Sequence, residues 1–483
     1  MSDIQYQLVT FDPKAAGDVI FLYGDEVASR SLPLKRDEAP YVERARSSNK
    51  EALVVLDRLP HHLYLQNFDS ECSTNVVQER LRRCAADIVM RLRDQKCDEV
   101  TVTGQGAIPE EVIAFVEGLT MASYAFDKYK TQKEHRLKRV LIDQRFISAE
   151  ELQNNIVLWQ HIGQCRDWVN EPVMNLNAEQ FADQLSAEAK RLGVSCTVLE
   201  KNQIEALKMG GLLAVNRGSV DEPRFVVLEY NPADAVNAKA VALVGKGVMY
   251  DTGGLNIKPD DYMQEMKSDM AGAATMAAAL FAAAENRLPV HMKAYLPLTD
   301  NRPSFNAYAA DDILRMFDGT TVEVVNTDAE GRLILADAIA YARKEEPELI
   351  IDAATLTGAA VRAIGSYGIA AMQQGAENAM SLLKIVGDQV SERLAEFPFW
   401  KDYDALISSE VADMKNCGPS EAGAITAGKF LAHFAGEVPF VHLDIAGVAY
   451  HAKRETFYGV GASGFGVRLL YAFFQTYDAM LQK

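Results

Sequence analysis

Asn326-Thr327-Asp328-Ala329-Glu330-Gly331-Arg332-Leu333 lies between two runs of different character. Before it stands a short β-like run, Val322-Glu323-Val324-Val325; after it, residues 333–342 read as an apolar helix. Strand, tight turn and helix in that order place the turn at the carboxyl end of a strand, where open α/β sheets bind ligands. The turn carries the carboxylates of Asp328 and Glu330 and the guanidinium of Arg332. Acids spaced i, i+2 point the same way where the backbone is extended. They then form a pincer for a cation, with Arg332 beside it for an anion. An ordinary acidic turn capping a helix has the same composition, because Asp and Glu are favoured at helix N-termini.

Two charged segments upstream extend the pattern. VGKGVMYDTGGLNIKP begins at Val244 and carries Lys246, Asp251 and Lys258, punctuated by Gly253 and Gly254. It matches neither the GxxxxGK[ST] nor the GxGxxG phosphate-binding template. EMKSDMAGAA follows, with Asp269 in a small and apolar setting. If Asp251, Asp269, Asp328 and Glu330 converge, their mutual repulsion is costly and some must protonate or be neutralised. Two divalent cations would balance all of them, and carboxylates bridging two metals make a hydrolytic centre. No histidine lies near these segments, which leaves oxygen ligands and a lysine amine. The other reading is a set of separate acids, each paired with Lys246, Lys258 or Arg332.

The rest of the chain reads as an α/β protein. Residues 1–145 form a small N-terminal α/β domain, with strands expected at 4–11, 52–56 and 99–103 and helices at 74–92 and 109–126. His61 and His62 read as a pair on a surface loop, and residues 30–50 as a long exposed excursion. Residues 146–170 read as one connecting amphipathic helix, with Ser148 as N-cap and Glu151 as its capping-box partner. Residues 171–483 form a larger α/β domain. Its short apolar runs, at 240–244, 290–298, 322–325, 349–353 and 441–445, imply a mixed, mostly parallel sheet covered by helices on both faces.

Composition limits the function classes. The net charge of −18 over 483 residues repels phosphate backbones, so nucleic acid is an unfavoured partner. No signal peptide or membrane-spanning run is read from the sequence, and Cys72, Cys84, Cys97, Cys165, Cys196 and Cys417 are scattered without a CxxC pair. A cytoplasmic protein with reduced thiols is expected.

The three charged blocks resemble the signatures of the leucyl aminopeptidase (cytosol aminopeptidase) family of two-metal exopeptidases. The likeness continues through MGGLLAVNRGS, IIDAATLTGAA, AITAGKFLAHF and HLDIAG, and covers about residues 150–483. It implies that Lys246, Asp251, Asp269 and Glu330 hold one metal, and that Asp251, Asp328 and Glu330 hold a second. The metals implied are Zn²⁺ or Mn²⁺. Lys246 would ligate only as a neutral amine. Lys258 and Arg332 would be the catalytic pair, Arg332 holding a bicarbonate as general base. Met266 and the Thr355-Leu356-Thr357-Gly358 loop would line the pocket for the first side chain.

By the same resemblance, a metal-bridging hydroxide attacks the first carbonyl of a peptide with a free N-terminus, and the assembly is a homohexamer. Some bacterial members also bind DNA, which is the alternative function. The sequence departs from the family pattern at Thr252 (usually serine), Ala271 and Phe305 (usually glycines) and Ala309-Ala310-Asp311. These departures leave the metal and catalytic positions intact.

Overall fold

A computed structural model of the protein describes residues 4–14, 17–28, 31–48, 53–69, 71–453 and 457–478. The chain forms two units, Met1–Gly163 with Ala452–Val460, and Gln164–His451 with Gly461–Lys483. In the first, strands β1 (Gln5–Val9), β2 (Asp18–Gly24), β3 (Leu53–Arg58), β4 (His61–Phe68), β5 (Glu99–Gln105) and β6 (Arg139–Asp143) make a six-stranded sheet. The order is β1-β6-β5-β2-β4-β3, and only the β3–β4 pair is antiparallel. Helices α1 (Ala39–Ser48), α2 (Thr74–Asp94) and α3 (Pro109–Ser123) connect these strands.

The sequence missed β2, β4 and β6. His61 and His62 open β4 instead of lying on a loop, and His62 Nδ1 sits 2.9 Å from Asp18 Oδ1 on the neighbouring strand. A strand that begins with paired polar residues carries no alternation to announce it. Residues 30–50 are also not a simple excursion. Helix α1 buries Val42, and Glu38, just before it, receives Arg58 Nε at 2.9 Å. Arg30, Asn49, Lys50 and Ala52 lie outside the described residues.

Helix α4 (Ala149–Asn170) starts on a reciprocal cap. Ser148 Oγ accepts the Glu151 N–H at 3.2 Å, and Glu151 Oε2 accepts the Ser148 N–H at 3.0 Å. The boundary between the units falls inside this helix, after Gly163.

The second unit holds helices α5 (Ala178–Leu192), α6 (Lys201–Leu207), α7 (Gly210–Asn216), α8 (Asp260–Met263), α9 (Ala271–Glu285), α10 (Gly331–Arg343), α11 (Gly358–Ile364), α12 (Glu377–Gln389), α13 (Gly423–Ala435) and α14 (Val467–Gln475). Its strands are β7 (Ser195–Leu199), β8 (Arg224–Tyr230), β9 (Val241–Gly245), β10 (Gly247–Asp251), β11 (Met292–Asn301), β12 (Ile313–Arg315), β13 (Thr321–Glu323), β14 (Leu349–Ala354), β15 (Ile369–Gln374), β16 (Leu394–Glu396), β17 (Met414–Lys415) and β18 (Phe440–Asp444). The nine-stranded sheet runs β16-β15-β18-β14-β9-β11-β8-β7, with β10 added beside β11. Its centre, β18-β14-β9-β11, is parallel, while β15, β8 and β7 pair antiparallel.

Every residue of β9 and β14 is buried. Burial at consecutive strand positions requires cover on both faces. Two helical layers supply it: α10 packs with α7 and α13, and α9 with α5 and α14. Residues Ala271 to Ala284 of α9 are all buried, and their small side chains bring the helix close to the sheet. A Cβ on Gly272 would lie 2.1 Å from the Ala353 carbonyl oxygen of β14, so glycine is required there, whereas Ala271 is accommodated.

Two expectations need correction. Strand β13 belongs to a separate three-stranded sheet, β12-β13-β17, and not to the large one. The NTDAEGRL segment is a turn, with Glu330 at φ −77° and ψ −37°, and is not extended. The departures at 305–311 lie at the surface: Phe305 is fully exposed, and Asp311 takes φ +71°.

One buried acid ties the α10 layer together. Asp337 accepts the Leu212 N–H at 2.9 Å and the Phe317 N–H at 2.8 Å, and burial pushes its pKa up to about 7. Asp337→Ala leaves buried amides without acceptors and is expected to cost about 3 kcal/mol of stability. Urea denaturation measures this; a midpoint equal to that of the unmodified protein would show that α7 is held by packing alone.

Candidate active site

The large sheet delivers three site segments from the ends of its strands. Lys246 lies between β9 and β10, Asp251 ends β10, and Thr355 follows β14. The backbone of Lys246 is fixed on two sides: its N–H donates to Ala353 O at 3.1 Å, and its carbonyl accepts the Ala273 N–H of α9 at 2.8 Å. Its ammonium therefore projects to a set place. Nζ lies 2.7 Å from Asp269 Oδ1 and 2.9 Å from Glu330 Oε1, and donates to the Thr355 carbonyl at 2.9 Å. Lys258 makes a second bridge, 2.8 Å from Asp251 Oδ2 and 2.5 Å from Asp328 Oδ1.

The loops carrying Lys258 and Asp328 are stapled to each other. Thr327 Oγ1 donates to Gly253 O at 2.6 Å and accepts the Asn256 N–H at 2.8 Å, while Asn256 Oδ1 accepts the Thr327 N–H at 2.8 Å. Gly253 and Gly254 take φ +85° and +65°, a turn that glycine permits without strain. Asn301 Nδ2 donates to Asp251 Oδ1 at 2.8 Å and to Thr327 O at 3.0 Å. As a result, Asp251, Asp328 and Glu330 each bring an oxygen within 4.8 Å of the others. Asp269 stands outside that triplet and joins it through Lys246.

The electrostatics follow from crowding. Burial raises the pKa of Asp269, Asp328 and Glu330, and neighbouring carboxylates raise them further. Burial disfavours the Lys246 and Lys258 ammoniums, but the surrounding carboxylates outweigh it and hold both above the ordinary lysine value. The protein's own charges thus favour a charged Lys246, not the neutral amine expected of a ligand. A neutral amine there needs additional positive charge nearby.

The residues fit divalent cations. Asp269 Oδ2 and Glu330 Oε2 are buried without a hydrogen-bond partner. The donor set is carboxylate oxygen plus one amine, suited to hard or borderline dications.

A cavity of about 340 Å³ opens beside the acids, lined among others by Asp328, Arg332, Leu356, Thr357, Gly358 and Arg362. Arg332 is buried and donates from Nη1 to the Asn416 carbonyl at 2.9 Å, while Nε has no partner. Among the described residues Arg332 makes no ion pair with Asp328 or Glu330. Met266 and Thr355 do not line this cavity. Thr355 instead donates from Oγ1 to Asp269 Oδ1 at 2.8 Å. Asp444, not anticipated from the sequence, holds the loop: it accepts Thr357 Oγ1–H at 2.7 Å and the Leu356 N–H at 3.3 Å.

Acidic oxygens gathered beyond what two lysines neutralise, at the carboxyl edge of an α/β sheet, are the donor set of a metal-dependent hydrolase. Comparison with known proteins gives the kind. Residues 164–471 match the cytosol aminopeptidase family, catalytic domain, and residues 72–133 match its N-terminal domain. A probable cytosol aminopeptidase of Syntrophotalea carbinolica is 43% identical over 404 residues, 81% of each chain. One from Chlorobaculum parvum is 38% identical over 96% of this chain and 94% of its own length.

Among solved structures, the bottromycin maturation enzyme BotP in complex with Mn aligns at a TM-score of 0.85 with 29% identity, over 96% of this chain and all of that one. A mutant tomato leucine aminopeptidase aligns at 0.85 with 25% identity, over 98% and 96%. The chain belongs to the cytosol aminopeptidase family and is a metal-dependent aminopeptidase. No helix among the described residues is long and apolar enough to cross a membrane.

Gly331 is where the turn meets Lys246: a Cβ there would lie 2.3 Å from Lys246 Cε. Gly331→Ala is expected to displace the ammonium from Asp269 and Glu330 and to cost about 1–3 kcal/mol through overpacking. A thermal melt together with a peptidase assay measures both effects. Undiminished activity would mean that the position of Lys246 is not critical.

Proposed function

We propose that Lys246, Asp251, Asp269 and Glu330 hold one divalent ion, Zn²⁺ or Mn²⁺, and that Asp251, Asp328 and Glu330 hold a second. What supports this most is the meeting of Asp251, Asp328 and Glu330 oxygens within 4.8 Å, with a Glu330 oxygen buried and unpartnered. Bound there, the ions supply charge that acidifies a water and polarises the first peptide carbonyl. The catalytic work falls to residues 171–483.

The chain's own residues do the rest. With an ion at Asp251, Asp328 and Glu330, the free α-amine of a peptide would bind it as a neutral amine, which would restrict cleavage to the first residue. The Lys258 ammonium, kept charged by Asp251, Glu330 and Asp328, donates a hydrogen bond to the oxyanion that forms on the attacked carbonyl. Arg332 has no proton to exchange near neutral pH. Pinned by Asn416 O and with Nε unpartnered, it binds an anion, bicarbonate, that accepts the proton of the attacking water. Met266 and the Thr355–Gly358 loop receive the first side chain. A cytoplasmic homohexamer completes the reading, by likeness to the family. The DNA-binding alternative is disfavoured by the net charge of −18.

Dialysis against a chelator should abolish cleavage of leucyl peptides, and Zn²⁺ or Mn²⁺ should restore it with a stoichiometry of two per chain. Lys258→Ala should lower kcat by about a hundredfold or more, with less change in KM. Activity that survives metal removal, or a Lys258 variant with normal kcat, would contradict these assignments.

A further inference from the structure

The 340 Å³ cavity contains a second guanidinium that the chemistry above does not use. Arg332 forms part of its buried floor. Arg362, in the last turn of α11, stands exposed at its rim with Nη1 3.3 Å from where a Cβ on Gly358 would sit. Among the described residues Arg362 has no ion-pair partner. An arginine at a helix C-terminus gains from the helix dipole wherever it points. Here, however, it also lines the space that opens from Asp328 toward solvent.

The direction of the substrate decides what that space receives. A free amine placed at this site has no residue before it, so the remaining peptide must extend outward. Of the residues placed at the first side chain, Leu356, Thr357 and Gly358 border the cavity and Met266 and Thr355 do not; Asn326, Asp328, Ala329 and Arg332 border it as well. The cavity thus continues beyond the first side chain, and the part of the peptide after the scissile bond extends through it toward Arg362.

We propose that Arg362 makes this aminopeptidase prefer substrates carrying a carboxylate on the portion released. The carboxylate is either the side chain of an acidic second residue or the terminal carboxylate of a dipeptide. A guanidinium pairs with a carboxylate in a planar, bidentate geometry that lysine does not reproduce. Asn326, Ser420 and Thr426 border the same space and supply further polar contacts. The inference rests on the placement of the amine and first carbonyl at Asp251, Asp328 and Glu330.

The test uses the full-length, metal-reconstituted protein and three substrates: leucyl-glutamine amide, leucyl-glutamate amide and leucyl-glutamine with a free carboxylate. At low salt, kcat/KM for at least one anionic substrate should exceed that for the neutral amide by about tenfold, mainly through KM. The substrate that gains identifies the carboxylate recognised. In Arg362→Gln the ratio of anionic to neutral substrate should fall to near one. In Arg362→Glu it should invert, and a lysine second residue should be favoured. Raising salt to about 0.5 M should shrink the preference in the unmodified protein, since exposed charges are screened.

A ratio near one in the unmodified protein, or a preference that survives Arg362→Gln, overturns the proposal while leaving the aminopeptidase intact. Failure to cleave any of the three overturns the aminopeptidase reading and this proposal with it.

Discussion

Asp251, Asp269, Asp328 and Glu330 crowd into one place, all but Asp328 buried, and much of the catalytic unit is arranged to make that arrangement tolerable. Like charges removed from water repel strongly and pay for desolvation as well. Lys246 and Lys258 each bridge two acids and lower part of that cost. They do not remove it, since burial and mutual repulsion still raise the Asp269, Asp328 and Glu330 pKa values. The site therefore has a standing demand for positive charge, which the proposed divalent ions would meet.

The tight packing around the site serves the same constraint. The amide of Lys246 is tied to β14 and its carbonyl to α9, while Gly272 lets that helix approach the strand. The alanine-rich composition of α9 is thus a condition for the position of the charge, not only for the core. On the opposite side, Thr327 and Asn256 lock two loops together, and Asn301 orients Asp251 from the end of β11. Each polar contact satisfies a buried group that would otherwise weaken the fold.

The three charged blocks were legible in the sequence because their residue types are chemically unusual and closely spaced. The backbone of the last block differs from the expectation in two respects. Asp328 and Glu330 meet Asp251 from a turn and not from an extended segment, and β13 lies outside the large sheet. Three residues of strand give too little periodicity to say which sheet they join. The supporting network was invisible for a related reason: Thr327, Asn256, Asn301, Asn416 and Asp444 act through contacts far apart in sequence, and single polar residues leave no periodic trace. In the first unit, β4 was lost because its polar start broke the alternation, and α1 because charge and turn formers masked a helix with one buried side chain.

The two lysines differ in a way that separates their tasks. Lys246 is held by backbone hydrogen bonds to a central strand and a buried helix, and its side chain is 3% exposed. Lys258 is carried on the loop between β10 and α8, its side chain is 14% exposed, and one of its partners is the partly exposed Asp328. A rigid side chain suits a fixed place between Asp269 and Glu330, as their counter-charge without metal and as the proposed ligand once an ion is bound. A cation on a loop can turn from one acceptor to another as charge develops on a substrate oxygen, at the cost of a single side-chain rotation. Enclosure, more than charge, therefore separates the two, with Lys246 fixed between Asp269 and Glu330 and Lys258 on a loop with a partly exposed partner, an arrangement that supports the proposed roles of metal ligand and oxyanion donor.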